Sequence, residues 1–191
     1  YVSQLICDCP HLFNTGFQHG FNAAFQHRGQ EAAGIAAFED NGLAIHRGQG
    51  LVADVFDQKN LDSLPGNIAI GHVRYSTTGA SHESNIQPVI AHTKYCPVAL
   101  AHNGNLTNAK ALTEDLFRDD LRHINTSSDS EILLNIFAHE LQEQNKLRLN
   151  PEDIFRAVAG VHRRCRGGYA AVAMIPGFGI LGFRDPHGIR Q

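Results

Sequence analysis

Cysteine is scarce in this sequence: four residues, Cys7, Cys9, Cys96 and Cys165, at irregular spacings in a chain of 191. That is too few to staple a chain of this length, and the CxC at 7–9 has no second pair to complete a zinc frame. Reduced thiols in a cytosolic protein are the reading that fits, and the expected location is the cytoplasm. Runs of lysine or arginine are also missing. With 16 basic and 19 acidic residues the formal net charge is −3, which leaves no footprint for nucleic acid or an anionic membrane. No stretch approaches the roughly 18 apolar residues of a membrane span. The start, YVSQLICDCP, has neither a basic n-region nor a long apolar core, so it does not read as a signal peptide. The absent initiator Met fits a processed or trimmed chain. Twelve histidines are scattered, with no HExxH or CxxC frame to collect them, so no metal is expected. GxGxxG and GxxxxGK[ST] are absent too, and nucleotide sites of those types are not supported.

What is present is a globular pattern. Hydrophobic residues make up 42% of the chain, enough for one sizeable core or two small ones. Phe17, Phe21 and Phe25 recur at i, i+4, i+8, one stripe of a helix that Asn14 or Thr15 could cap. AAGIAAFEDNGLAIHRG reads as two short strands about an Asp40-Asn41-Gly42 turn. NIAIGHVRY and VALAHN are further strands. SSDSEILLNIFAHEL carries a capping-box pattern, Ser128-x-x-Glu131, ahead of an apolar stripe. Asn150-Pro151-Glu152-Asp153 starts another helix, with Pro in its first position and acids in its first turn. GYAAVAMI and GILGFRD, joined through Pro176-Gly177-Phe178, form a closing hairpin. Strands in adjacent runs and helices in pairs predict an α+β fold of mainly antiparallel sheets covered by helices.

Three polar clusters concentrate the chemistry. In GHVRYSTTG, Arg74 follows a strand-like run and offers a planar fork that matches a carboxylate; the bland alternative is a surface ion pair. HNGN is expected to be a turn and also an oxyanion hole: Asn103 supplies a side-chain amide and Gly104 a sharp bend with an unshielded N–H, the donors such a hole needs; the alternative is a type I′ turn and nothing more. In TSSDSE, Asp129 falls in the first turn of a helix, ionised and fixed, able to hold an ammonium group; the alternative is a favourable helix-start charge. Together the three describe a ligand gripped at both α-groups of an amino acid, with a side-chain carbonyl polarised. Glutamine fits that description. Spacing alone does not show that the clusters meet.

The residues then become specific. FQHRGQEAAGI (25–35), IGHVRYSTTGASHESNIQP, LAHNGNLTN, RHINTSSDSEILLNIF and GFRDPHGIR (182–190) together resemble the glutaminase domain of class II glutamine amidotransferases, over nearly everything after residue 24. Hexosamine-forming members tend to carry Trp after the Arg of the first cluster; Tyr75 and Ser76 stand here, which favours the purine branch, as does RDPHGIR. The resemblance implies a four-layer αββα sandwich of N-terminal-nucleophile hydrolase type, with residues 1–191 as one amidotransferase domain. It implies that Arg74 binds the glutamine α-carboxylate, Asp129 the α-amino group, and Asn103 with Gly104 the oxyanion. Arg28 would support the nucleophile end, and Thr77 and His72 would line the pocket. Ammonia released from glutamine would pass to a phosphoribosyltransferase domain expected after residue 191, there converting phosphoribosyl pyrophosphate to phosphoribosylamine in purine synthesis. No cofactor is expected in the glutaminase part; magnesium is expected in the transferase part, and a homo-oligomer overall.

The family's nucleophile departs from this pattern. It is a Cys at the mature N-terminus followed by Gly, its own α-amino group serving as base. No Cys-Gly pair occurs here, and counting back from Arg28 without gaps puts the position at Ser3. Cys7 and Cys9 lie too close to Arg28 and read as buried thiols. Three explanations stand open: an altered or misread start, a natural loss of the glutaminase, or Ser3 as a hydroxyl nucleophile. So does a second function, a glutamine-binding or structural domain without hydrolysis.

Overall fold

The structure is a computed structural model and describes residues 4–8 (as backbone), 31–39, 42–64, 66–74 and 83–190. Within it the chain divides into two compact units, residues 1–88 and 89–191. The phenylalanine stripe predicted over 17–25 lies outside the described residues.

The first unit is built on a four-stranded antiparallel sheet of order β1-β4-β2-β3. Its strands are β1 (Gln4–Asp8), β2 (Ala32–Glu39), β3 (Gly42–Gln49) and β4 (Ile68–Arg74). The two strands predicted about Asp40-Asn41-Gly42 pair from Ala32↔Gln49 to Glu39↔Gly42 as a hairpin, although Asp40 and Asn41 themselves are outside the described residues. Alternation in AAGIAAFE sends Ala33, Ile35 and Ala37 to one face of β2, where they join Ala69 and Val73 of β4. Two short helices cover that face, α1 (Val52–Val55) and α2 (Gln58–Asp62), and bring Val52, Val55, Phe56, Leu61 and Leu64 onto it. Neither helix was expected from sequence, being too short to show a period. Asp57 caps α2 by accepting the Asn60 N–H at 2.7 Å. Ala32 and Ala36, on the other face of β2, are fully buried as well, so this strand reads as a continuous apolar run.

The second unit repeats the plan on a larger scale. Its sheet has the order β5-β6-β7-β8, again antiparallel throughout, with β5 (Val89–His92), β6 (Pro97–Leu106), β7 (Gly167–Ile175) and β8 (Gly179–Arg184). β7 and β8 form the predicted closing hairpin, from Ala170↔Arg184 to Ile175↔Gly179. Three helices cover one face: α3 (Ala109–Arg118), α4 (Asp129–Gln142) and α5 (Pro151–Arg164). Leu133, Leu134, Ile136 and Phe137 of α4 meet Leu112 and Leu116 of α3, Ala157 and Val161 of α5, and Val98, Leu100, Tyr169 and Ala173 of the strands. Burying one such Leu or Phe is worth about 1.5–3 kcal/mol. Helix α3 was missed from sequence, though Leu112 and Leu116 at i, i+4 carry its stripe.

Two local expectations are corrected. The capping box predicted at Ser128-x-x-Glu131 does not form. Ser128 Oγ does accept an N–H, from Ser130 at 3.2 Å, but Glu131 turns to the preceding loop and accepts from Asn125 N and Thr126 N. The capping box belongs instead to α5, where Asn150 Oδ1 accepts from Asp153 N at 3.0 Å and Asp153 Oδ2 from Asn150 N at 2.9 Å. The second correction concerns HNGN, which is not a turn. His102 to Asn105 run within β6, paired with Ala171 to Gly168 of β7.

Candidate active site

Strand β6 ends in the HNGN segment, and Gly104 gives it its shape. Its φ of +134° is a conformation that a side chain disfavours. A carbon added there would sit 2.1 Å from the carbonyl oxygen of Gly168, across the ladder. Glycine is therefore required twice over, by torsion and by the close approach of β7. The strand keeps its pairing while its backbone is bent, which is how a peptide N–H can be re-aimed without a turn. Asn103 stands beside it, half-buried and opposite Ala170.

Helix α4 delivers the carboxylate. Asp129 is its first residue, as predicted. Asp129 Oδ2 accepts the Leu106 N–H at 2.9 Å, which fastens the helix start to the last residue of β6. Oδ1 lies 3.7 Å from His102 Nδ1, and that same nitrogen is 3.0 Å from Ser130 Oγ. His102 is only 3% exposed. Burial pushes its pKa below the ordinary histidine value; Asp129 opposes that shift and the positive charge of Arg190 adds to it. The ring is thus held neutral beside an acid whose own position is fixed. Asn103, Gly104 and Asp129 are brought together by β6 and the start of α4, and His102, Ser130 and Arg190 join them. Sequence reasoning quoted all three of these additions but assigned none; a histidine directly before the Asn-Gly pair, and a serine directly after the aspartate, were the available signals.

In the first unit, His72 and Arg74 lie on β4. His72 is 4% exposed and pairs across the sheet with Gly34 and, on the other side, with Gln4. Arg74 closes the strand, half-buried, its carbonyl accepting the Glu31 N–H at 3.1 Å. Its Nη1 is buried with no hydrogen-bond partner among the described residues. A buried guanidinium nitrogen in that state suits a carboxylate supplied from outside. Ser3, Arg28 and Thr77 lie outside the described residues. Cys7 falls in β1 opposite Ala69. Burial pushes the Cys165 thiol up to about 12 and raises that of Cys96, where a hydrogen bond from Thr93 only partly offsets it, so neither is poised as a thiolate. Among the described residues no group of three or more His, Cys, Asp or Glu could hold a metal ion, and no helix is long and apolar enough to cross a membrane.

The last segment, RDPHGIR, forms a hook after β8. Asp185 is 2% exposed, and its carboxylate collects the backbone N–H groups of Tyr169, His187, Ile189 and Arg190 at 2.9–3.2 Å. Burial pushes the carboxyl pKa up, but these four donors outweigh it and hold the group below the usual carboxylate range.

Residues 46–150 match the family described as the glutamine amidotransferase domain. The chain is 55% identical over 163 residues to an amidophosphoribosyltransferase of Pseudomonas aeruginosa, covering 85% of this chain and 32% of that protein. It is 52% identical over 164 residues to the Escherichia coli amidophosphoribosyltransferase, with the same two coverages. Among solved structures it matches a glutamine phosphoribosylpyrophosphate amidotransferase from B. subtilis, complexed with ADP and GMP, with a TM-score of 0.74 and 31% identity over 97% of this chain and 37% of that one. The chain therefore spans about a third of the length of the curated relatives it matches.

Proposed function

Since the chain belongs to the glutamine amidotransferase domain family, we propose that it hydrolyses glutamine and supplies the ammonia to a phosphoribosyltransferase reaction. There the ammonia displaces pyrophosphate from phosphoribosyl pyrophosphate and gives phosphoribosylamine, a step of purine synthesis. The observation that carries this reading is the joined pair of features on β6 and α4, a bent Asn-Gly donor segment beside a fixed carboxylate. The names of the relatives support the choice of acceptor.

In this mechanism Asp129 takes the α-ammonium of glutamine and Arg74 its α-carboxylate, each as a charge-assisted pair. A nucleophile adds to the side-chain amide carbon, and the carbonyl oxygen becomes an oxyanion that Asn103 Nδ2 and the Gly104 N–H stabilise. Collapse of the tetrahedral species expels ammonia, and water then releases glutamate from the acyl intermediate. His102, neutral and buried, donates no charge to the site; it packs beside Asp129 and keeps that carboxylate oriented. Arg28 belongs to the nucleophile end, and Thr77 and His72 to the pocket wall. Ser3 stands where the family carries its cysteine. Residues 1–191 act as one amidotransferase domain without a cofactor of its own, magnesium serves the transferase part, and the whole works as a cytoplasmic homo-oligomer.

A second reading, a domain that binds glutamine without hydrolysing it, is favoured by one observation: among the described residues Cys96 and Cys165 are both pushed by burial away from the thiolate form. Covalent labelling with an electrophilic glutamine analogue separates the two. An adduct located by intact mass and peptide mapping identifies the nucleophile and supports hydrolysis. No adduct, with glutamine still raising the thermal midpoint, leaves binding alone.

A further inference from the structure

The hook at Asp185 lies outside the reaction just described, yet it is built around the residue that faces Gly104. Gly104 pairs with Tyr169 across the β6–β7 ladder. Asp185 engages both peptide groups of that tyrosine: its Oδ1 accepts the Tyr169 N–H at 3.2 Å, and its own N–H donates to the Tyr169 carbonyl at 2.8 Å. The remaining acceptor positions draw in the chain that follows. Oδ2 takes His187 N at 3.1 Å and Ile189 N at 2.9 Å, and Oδ1 also takes Arg190 N at 3.1 Å.

This closure brings Ile189 down onto Gly168. A carbon added at Gly168 would lie 2.7 Å from Ile189 Cγ2, so glycine is needed for the hook to seat. Gly168 is in turn the residue whose carbonyl occupies the place a Gly104 side chain would take. The contacts therefore form one stack, Ile189 on Gly168 on Gly104, with the Asp185 carboxylate fixing its outer end. Glycine takes φ +134° without strain of its own, so the direction of the Gly104 peptide is set by the contacts around it. The stack is the part of those surroundings that the sequence places last.

We infer that Asp185 is a positioning residue for the oxyanion donors: its four-fold acceptance of backbone N–H groups clamps Gly168 against Gly104 and keeps the Gly104 N–H aimed at the reacting carbonyl. The inference rests on the proposed glutamine hydrolysis. Asp185 touches no substrate atom; it acts through Tyr169, Gly168 and Gly104. Substituting Asn keeps the shape but turns an NH2 toward two of the four donors, which opens the hook. The α-group ligands Arg74 and Asp129 are untouched. The effect therefore falls on kcat, by about tenfold or more, short of the ~10²–10³-fold loss that removing a donor outright produces.

The test compares Asp185→Asn and Asp185→Ala with Asp153→Asn in the intact chain. Asp153 is a buried carboxylate of α5 with no contact to the HNGN segment, so its variant controls for lost stability alone. A fall in glutamine kcat with KM held, in the Asp185 variants and not in D153N at equal thermal midpoint, supports the inference. Unchanged kcat in D185N, or a loss that D153N matches, overturns it. The Gly104 amide gives a readout that needs no turnover: its NMR shift and hydrogen-exchange rate change in D185N if the clamp holds it. An intact chain that hydrolyses no glutamine overturns the proposed function instead, and the Gly104 amide then decides this inference alone, an unshifted signal refuting it.

Discussion

Asp129 Oδ2 accepts the Leu106 N–H at 2.9 Å, so the carboxylate fastens helix α4 to strand β6 while its other oxygen, 3.7 Å from His102 Nδ1, is left for the proposed ammonium contact. The two tasks are separable by substitution. Asp129→Asn keeps one carbonyl oxygen for Leu106 but removes the negative charge. A hydrogen bond to a charged group is worth about 1.5–3 kcal/mol, so glutamine KM rises roughly 10- to 100-fold while the thermal midpoint holds. Asp129→Ala loses both functions and melts lower. Steady-state kinetics with thermal melts on both variants check this; an unchanged KM in the Asn variant would remove Asp129 from the substrate site.

The donors themselves respond differently. Asn103→Ala removes one side-chain N–H and leaves the backbone alone, so kcat falls on the order of 10²-fold. Gly104→Ala meets a forbidden torsion and a contact of 2.1 Å with the Gly168 carbonyl. Its strand must shift, and both stability and kcat fall. Circular dichroism melts distinguish the pair: Gly104→Ala melts well below Asn103→Ala. Full turnover in Asn103→Ala would discard the oxyanion assignment.

Much of this was legible from short polar strings, and the misses have physical causes. The helix start at Asp129 was legible because serine and aspartate before an apolar run favour the start of a helix. The strand ahead of Arg74 was legible because IAIGHV is a nearly continuous apolar run, and it ends at Arg74. HNGN was misread as a turn because Asn-Gly is the strongest local turn signal; here the long-range ladder with Ala170 and Tyr169 overrides it and keeps the chain extended. Glu131 was misread because a capping-box pattern gives spacing alone, and the loop at Asn125–Thr126 offers its N–H groups to the same carboxylate. The Asp185 hook was invisible for a similar reason, since the donors it gathers include Tyr169, sixteen positions back.

Glu131 sets the path of the chain into Asp129. Its carboxylate takes Asn125 N at 3.0 Å, Thr126 N at 2.7 Å and Asn125 Nδ2 at 3.2 Å. In Glu131→Ala those donors lose their partner, at a cost of about 1–3 kcal/mol, which lowers Tm by roughly 2–4 °C per kcal/mol for a chain of this size. Because the loop leads directly into Asp129, glutamine KM rises in the same variant, and Glu131→Gln, which keeps one acceptor, recovers part of both. A stability loss with KM unmoved would make Glu131 purely structural.

Acid sensitivity has a specific carrier in Asp153. Its side chain is fully buried and accepts from Lys146 Nζ at 2.7 Å, from Asn150 N at 2.9 Å and from Arg156. The Lys146 hydrogen bond is the largest influence; burial opposes it, and the Asn150 N–H and Arg156 add to it, holding the carboxyl at about 2. An unfolded aspartate titrates near ~3.9. Between those values the unfolded chain binds the proton that the folded chain refuses, so acid favours unfolding there. The stabilisation is complete above the unfolded value and is lost as the pH falls through it toward about 2. Urea midpoints measured from neutral pH down to about 2 then fall more steeply in the wild type than in Asp153→Asn, which starts lower and has no such proton to take up. Parallel curves for the two proteins would assign the acid lability to other carboxylates.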